Sequence, residues 1–206
     1  MILHRLGSII TETMLKDLNM RYAAVPFAEK IDVNVYRIYF SSRDHYNQSY
    51  GSYLDYDIDK LKIIALPTKR PIISHGQIGH FDDSGVTLSC YLKELNAFYY
   101  MGWNLMAKVP FSNQIGKLEL DSKKDELSRI YSTPVLGKCE FEPLSFGYPW
   151  VLRTQESYKM WYDTILNWES NSTRNYKFIL RSAVSDDGEH WHKSYKQEFP
   201  LYDTEK

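Results

Sequence analysis

Four acidic residues stand where the strands of a sheet would begin or turn, and carboxyl groups at such positions could transfer protons. Asp82 and Asp83 are neighbours, and Glu142 stands in the corresponding place about 60 residues later. Asp44 follows Arg43 in a long polar stretch. A positioned carboxyl group acts as a general acid or base when its pKa lies near the working pH. The four acids are therefore the candidate catalytic residues.

Each acid also has a structural interpretation. Asp82 and Asp83 could cap backbone N–H groups in a turn, and on a strand only one of two neighbours can face a cleft. Glu142 could form a salt bridge, for instance with Arg153. If it is instead buried beside aromatic residues such as Phe146, its pKa would rise, as a general acid requires. Both interpretations stay open for each residue.

Polar and aromatic side chains close to these acids could hold a ligand. Arg43 could keep Asp44 ionised, or the two could form an ordinary surface pair. An indole ring has a flat apolar face that suits stacking, but it could equally pack between sheets. The candidate binding residues are Arg43, His45, Asn47, Trp103, Asn104 and Trp168.

Cysteine and histidine usage indicates neither a disulfide framework nor a metal site. The sequence has two cysteines, Cys90 and Cys139, and no C-x-x-C or H-E-x-x-H spacing. His75 and His80 flank a turn, but a third metal ligand is not apparent beside them. We predict no metal and no other cofactor.

Length and charge exclude several classes of protein. The chain has 206 residues, which suits one domain or two small ones, and a formal net charge of -1. A near-neutral chain is a poor binder of nucleic acid, because attraction to phosphate requires a basic surface. No run of about 18 apolar residues and no secretory signal are present, which predicts no membrane span. We expect a soluble cytoplasmic protein.

The strongest pattern in the sequence is an internal repeat. An aromatic strand-like run, a second strand-like run and a run that starts with proline recur in this order three times, at intervals of 61 to 66 residues. A period held by three landmarks indicates repeated supersecondary units. The three sets start at Tyr36, Phe98 and Lys159; at Gly51, Ile115 and Phe178; and at Pro71, Pro134 and Pro200.

The repeat predicts an all-β fold, a β-propeller with about three four-stranded blades. Each unit contains short runs rich in Tyr, Phe, Ile and Val between turn residues, which is typical of strands. We predict one domain over residues 1–206, with blades at approximately 20–74, 75–137 and 138–202. Residues 11–20 could form a short helix. Because successive strands of a meander are antiparallel, the starts of the inner strands and the second-to-third loops should meet on one face. These loops are predicted over residues 42–49, 102–114 and 163–175, so that Trp103 and Trp168 each lie in one of them. The candidate residues would converge on this face, where binding sites are expected.

Several segments resemble the five-bladed β-propeller glycosidases, the superfamily of arabinanases, levansucrases and invertases (glycoside hydrolase families 43 and 32). The run M-W-Y followed by A-x-S-x-D-G-x-x-W is fairly specific to these propellers. The resemblance covers nearly the whole chain. The matching segments are residues 35–57, 79–86, 97–104, 158–169 and 183–191.

The resemblance implies carboxylates on the inner strands of the first three blades, as base or nucleophile, as a modulating residue and as acid. Residues 21–28 (RYAAVPFA), the expected first inner strand, start without one. Five such blades would also need roughly 300 residues. We therefore expect a chain truncated to about three blades, which self-associates or takes its missing blades from a second chain.

The expected function is cleavage of a glycosidic bond by carboxylate acid–base catalysis, with a carbohydrate as substrate. Such cleavage needs two carboxyl groups on either side of the bond. The alternatives are a non-catalytic glycan-binding or interaction module, and a truncated inactive relative. A sugar phosphorylase would need a phosphate pocket, for which Arg43, Lys108 and Arg153 are the available cations.

Overall fold

The protein is almost entirely built of β-strands, as the computed structural model shows. The structure describes residues 7–67, 70–169 and 175–199. Its helical segments there are α1 (Glu12–Asp17) and a 3₁₀ turn at Lys93–Leu95. Thr11 caps α1, because its hydroxyl accepts a hydrogen bond from the backbone N–H of Met14. The predicted all-β propeller class is confirmed.

In the described ranges, twelve strands form three four-stranded antiparallel meanders, which are the blades. Within each blade, every strand pairs with the next strand along the chain. The first blade contains β1 (Ala24–Lys30), β2 (Val35–Arg43), β3 (Ser49–Asp57) and β4 (Lys62–Ala65); the second contains β5 (Gly85–Leu92), β6 (Ala97–Leu105), β7 (Phe111–Asp121) and β8 (Glu126–Arg129); the third contains β9 (Phe146–Arg153), β10 (Tyr158–Trp168), β11 (Tyr176–Ser185) and β12 (His192–Lys193). The assignment of residues 1–206 to one domain stays a prediction.

Aromatic cores hold neighbouring blades together. Between the first and second blades, Tyr39 stacks on Phe27 with 5.2 Å between ring centroids and meets Phe98 edge-on at 4.9 Å. Between the second and third blades, Tyr99 and Met160 are fully buried in a second cluster. Burial of each large side chain contributes about 1.5–3 kcal/mol. The Tyr-rich composition therefore serves packing between blades as well as strand formation.

The outer faces of the first and third blades differ. On the first blade, Phe40 and Leu54 are covered by the N-terminal segment, with Leu15 of α1 packed against them. On the third blade, Trp150 and Phe178 are about half exposed. The predicted self-association or recruitment of a second chain is not tested by this difference and stays a prediction.

The runs that start with proline add an irregular edge to two blades. Ile73 bridges to Gly51 of β3, and Leu136 bridges to Ile115 of β7. These two bridges repeat the sequence period. The third run, at Pro200, lies outside the described residues. The meanders bring the β2–β3 loop, the starts of β5 and β9 and the end of β6 to one face of the propeller, because neighbouring strands are antiparallel.

Candidate functional site

A cleft of about 270 Å³ opens on that face, between the starts of the inner strands β5 and β9. Its volume lies near the lower end of the range for ligand pockets. A neighbouring depression of about 290 Å³ shares four residues with it. We call the first space the inner-strand cleft. Its main polar and aromatic lining residues are Arg43, Trp103, Phe111, Tyr148, Asp163 and Tyr176.

Trp103 and Arg43 form one wall of the inner-strand cleft. The indole Nε1–H of Trp103 donates to the Ser49 hydroxyl over 2.8 Å, which fixes the ring, and the side chain is 8% exposed. The Arg43 guanidinium lies 5.1 Å from the indole ring and donates to the Asn47 side chain over 3.0 Å. The candidates Arg43, Asn47 and Trp103 therefore come together in one site.

Asp163 is the carboxylic acid of this cleft, and it is absent from the candidates that the sequence suggests. Its Oδ1 accepts a hydrogen bond from the Gly147 backbone N–H over 2.7 Å. Burial raises the pKa of Asp163 to about 6, although that hydrogen bond acts in the opposite direction. The repeat pattern assigns this residue to a long loop, but β10 continues to Trp168. The signal that could identify Asp163 is the alternation of side chains between the two faces of a strand. Because the buried residues Met160 and Tyr162 face the core, Asp163 faces the other side.

Three residues at this site, among them Asn47 with φ 67°, have a backbone conformation that L-amino acids rarely adopt. Tyr148, which lines the inner-strand cleft, has φ 47°, and Val25, which lines the adjoining depression, has φ 52°. Such a conformation costs about 1–3 kcal/mol in a non-glycine residue and concentrates at functional sites. Burial raises the pKa of the Tyr148 phenol, the charge of Asp163 raises it further, and Arg43 lowers it. The pKa of the Tyr148 phenol therefore depends on the charges of both Asp163 and Arg43.

Trp168 lies at the rim of the same cleft. Its ring centroid is 5.2 Å from that of Phe111 and 5.0 Å from that of Tyr176, both of which line the cleft. The predicted positions of Trp168 and Trp103 in loops are wrong, because Trp168 is the last residue of β10 and Trp103 lies in β6. Its role in ligand stacking stays a prediction.

Asp82 lies inside the second blade and is 0% exposed. Its Oδ2 is 2.7 Å from Arg129 Nε and accepts a hydrogen bond from the Tyr100 hydroxyl over 2.9 Å. A Cβ on Gly76 would stand 1.9 Å from the other carboxylate oxygen, so only glycine fits there. These contacts favour a structural role.

Glu142 has similar surroundings in the third blade and is 2% exposed. Lys193 Nζ lies 2.7 Å and Arg181 Nη1 2.9 Å from its carboxylate, and the Tyr162 hydroxyl donates to it over 3.1 Å. The expected salt bridge therefore exists, but with these two cations. Arg153 is exposed and lies at the other end of β9. Both carboxylate oxygens are engaged in this buried network, which favours a structural role.

The two buried acids belong to one arrangement that the second and third blades repeat. In each blade the acid precedes the inner strand, a tyrosine on the second strand donates to it, and a cation on the outermost strand pairs with it. The arrangement joins the inner and outer edges of a blade. The matching residues are Asp82 and Glu142, Tyr100 and Tyr162, and Arg129 and Lys193.

Asp83 and Asn104 hold a turn. Asp83 accepts hydrogen bonds from the Asn104 side chain over 2.7 Å and from the Gly79 backbone N–H over 3.0 Å, and Asn104 also donates to the His80 carbonyl. Burial alone would raise the pKa of Asp83, but the hydrogen bonds from Asn104 and Gly79 lower it below its usual value. The carboxylate stays ionised at neutral pH and acts as a turn cap.

Asp44 also caps a turn. Its Oδ1 accepts from the backbone N–H groups of Tyr46 and Gln48, each over 2.9 Å. The guanidinium of Arg43 donates to Asn47, and no ion pair with Asp44 is found in the described part of the chain. His45 is exposed beside Tyr46. The structure thus does not bring Asp44, Asp82, Asp83 and Glu142 into one acidic centre, and their catalytic role stays a prediction.

The described ranges contain neither a cluster of metal ligands nor a membrane-spanning helix. No group of three or more His, Cys, Asp or Glu side chains there could hold a metal ion. No helix in those ranges has the length and apolar character needed to cross a membrane.

Known proteins resemble this chain in sequence and in structure. No protein-family model matches the sequence. Uncharacterized protein Rv1502 of Mycobacterium tuberculosis is 35% identical over 192 residues, which are 92% of this chain and 63% of that protein. The chain therefore spans less than two thirds of the length of this relative.

The fold of the chain follows from its similarity to solved structures. The family 117 glycoside hydrolase Zg3597 of Zobellia galactanivorans superposes with a TM-score of 0.57 at 13% identity, over 83% of this chain and 55% of that one. A thermostable family-43 glycoside hydrolase gives a TM-score of 0.53 at 18% identity, over 87% of this chain and 55% of that one. The chain has the fold of the five-bladed β-propeller glycosidases. The resemblance seen in the sequence is thus confirmed for this propeller fold, of which the structure describes three blades.

Proposed function

We propose that the inner-strand cleft binds a saccharide. The observation that carries this proposal is the meeting of Asp163, Arg43 and Tyr148 with aromatic rings in one cleft, on the face where the β5 and β9 strands of this glycosidase-type propeller begin. Hydroxyl groups of a sugar can bond to these polar groups, and its C–H faces can pack against aromatic rings.

The same geometry supports binding better than hydrolysis by the described residues. Glycoside cleavage needs two carboxyl groups, separated by roughly 5 to 10 Å, on either side of the bond. Among the described residues that line the inner-strand cleft, Asp163 is the one carboxylic acid. Asp82 and Glu142 are engaged in buried ion pairs within their own blades. A non-catalytic saccharide site is therefore the leading function.

Glycoside hydrolysis is the second candidate, because one observation favours it. The pKa of Asp163 is raised to about 6 by burial, and a general acid needs a raised pKa of this kind. Asp163 would then protonate the leaving oxygen. This role replaces the proton donor that the sequence assigns to Glu142. The cytoplasmic location also stays a prediction.

A glycan array combined with a hydrolysis screen on aryl glycosides and oligosaccharides separates these functions. The test variant is Asp163→Asn, and the control is Asp186→Asn, whose exposed side chain lies near the opposite end of β11. A saccharide site predicts that the wild type and the control bind the same glycans, that Asp163→Asn weakens this binding, and that no glycoside is cleaved. Cleavage that disappears in folded Asp163→Asn would establish the hydrolase instead. Binding that is unaffected by Asp163→Asn would exclude Asp163 from the site.

A further inference from the structure

Among the residues that the structure describes, Arg43 has no acidic counter-ion. Four arginines of the described chain are partly buried, and three of them form ion pairs with Asp or Glu. Arg43 is the fourth, and its guanidinium has a hydrogen bond to Asn47 but no carboxylate within ion-pair distance in the described ranges. The three paired arginines are Arg37 with Asp55, Arg129 with Asp82 and Arg181 with Glu142.

From this contrast we infer that the ligand of the inner-strand cleft is an anionic saccharide, whose carboxylate or phosphate group binds to Arg43. The inference rests on the proposed saccharide site and specifies the class of its ligand. A partly buried charge is unfavourable unless it is paired. A ligand anion would supply the partner that the other partly buried arginines find within the protein.

The shape and position of the Arg43 side chain suit this role. A guanidinium presents a planar fork of N–H donors that matches a carboxylate or phosphate with two parallel hydrogen bonds. The Trp103 ring, 5.1 Å away, supports its flat face, and the Asn47 side chain engages Nη1. These two contacts position the guanidinium, and the side-chain hydrogen bond to Asn47 is the one found for it within the described ranges.

Asp163 determines the orientation of the saccharide in the cleft. It lines the same cleft as Arg43, and the phenol of Tyr148 interacts electrostatically with both groups. An ionised Asp163 repels an anionic substituent and accepts hydrogen bonds from hydroxyl groups. The anionic group therefore lies at the Arg43 end of the cleft, and the sugar hydroxyls lie at the Asp163 end. Of the three cations considered for a phosphate pocket, Arg43 is the one found in the cleft lining; Lys108 and Arg153 are exposed and do not line it.

Ligands with the same sugar ring and different charge at C6 test this inference. The probes are methyl glycosides of glucose, galactose and mannose, each as the neutral sugar, the uronic acid, the methyl ester of that acid and the 6-phosphate. Binding is measured by calorimetry or by saturation-transfer NMR. We expect at least one uronic acid or 6-phosphate to bind about tenfold or more tightly than its uncharged counterpart, as one charge-assisted hydrogen bond predicts. A preference for the uronic acid or for the phosphate identifies which anion is recognised.

Substitution of Arg43 tests whether this residue recognises the negative charge of the ligand. Arg43→Gln should abolish the preference for the charged probe, and Arg43→Lys should keep part of it. Arg153→Gln, a change at an exposed arginine at the other end of β9, should leave it intact. If Arg43→Gln does not fold, the comparison of charged and uncharged probes on the wild-type protein still decides.

The two proposals fail in different ways. Equal binding of charged and neutral probes by the wild type would overturn the anionic ligand and leave the saccharide site standing. A charge preference that survives in folded Arg43→Gln would also overturn it, since the anion would then bind elsewhere. Binding of no probe and no glycan on the array would overturn both.

Discussion

The Gly147 backbone N–H donates to Asp163 Oδ1 over 2.7 Å and thereby joins the inner strand β9 to the carboxylic acid of the cleft. A Cβ at position 147 would lie 2.3 Å from Met101 Sδ, so any larger residue would require the Met101 side chain or β9 to move. The acid of the site is thus positioned by the packing of the second blade against the third.

Gly147→Ala should damage both stability and the site. The new methyl group must displace Met101 or β9, and overpacking of this kind costs about 1–3 kcal/mol. The measurement is the free energy of unfolding in urea, together with glycan binding. Gly137→Ala is the matched control, since the nearest atom to its Cβ would be 3.3 Å away, and it should change both quantities little. Equal losses in the two variants would contradict the packing explanation.

The stability of the protein should depend on pH through Asp163. Its pKa is raised to about 6 in the folded protein, whereas the pKa of an Asp in an unfolded chain is about 3.9. The folded state therefore holds the proton more tightly, and stability falls as the pH rises from about 4 to about 6. The difference corresponds to about 2–3 kcal/mol.

Thermal unfolding of the wild type and of Asp163→Asn across that pH interval measures this contribution. The variant should lack this part of the pH dependence and should gain stability relative to the wild type at pH 7. Parallel pH profiles for the two proteins would show that Asp163 titrates normally.

Glu142→Gln should act mainly on folding. The substitution keeps the shape of the side chain but leaves Lys193 and Arg181 without their counter-charge, and loss of one partner from a buried ion pair costs about 3–5 kcal/mol. Urea unfolding should show this loss, and the exposed Glu140→Gln should show little. A fully stable Glu142→Gln protein that has lost a measured hydrolase activity would instead restore Glu142 as a catalytic residue.

Tyr148→Asn should separate stability from binding. Asn tolerates the positive φ of this position better than Tyr does, so the unfolding midpoint should stay equal or rise. Saccharide binding should weaken, because the phenol at the cleft is lost. A variant that loses stability and keeps its affinity would show that the strained backbone has no connection with the site.

The repeat in the sequence was sufficient to predict the fold but not the site. Aromatic runs at one period predicted the blades, because strands that pack on both faces need large apolar side chains at regular positions. The sequence also indicated the face on which Arg43 and Trp103 meet. It could not show that Asp82 and Glu142 form buried ion pairs, because their partners Arg129 and Lys193 come from strands about 50 residues further along the chain. The sequence pattern does not single out Asp163, because it predicts a loop from this residue onward where β10 in fact continues to Trp168.

The most direct test of the saccharide site follows the indole N–H signals of the five tryptophans in a ¹H–¹⁵N NMR spectrum. The protein is titrated with the best ligand from the glycan array, and Trp103→Phe assigns the critical signal. Trp103 lines the inner-strand cleft, whereas Trp150 is about half exposed and is not among the residues that line it. Binding in the cleft predicts a saturable shift of the Trp103 signal with no change at Trp150. Shifts at Trp150 alone, or no shift under saturating ligand, would contradict it.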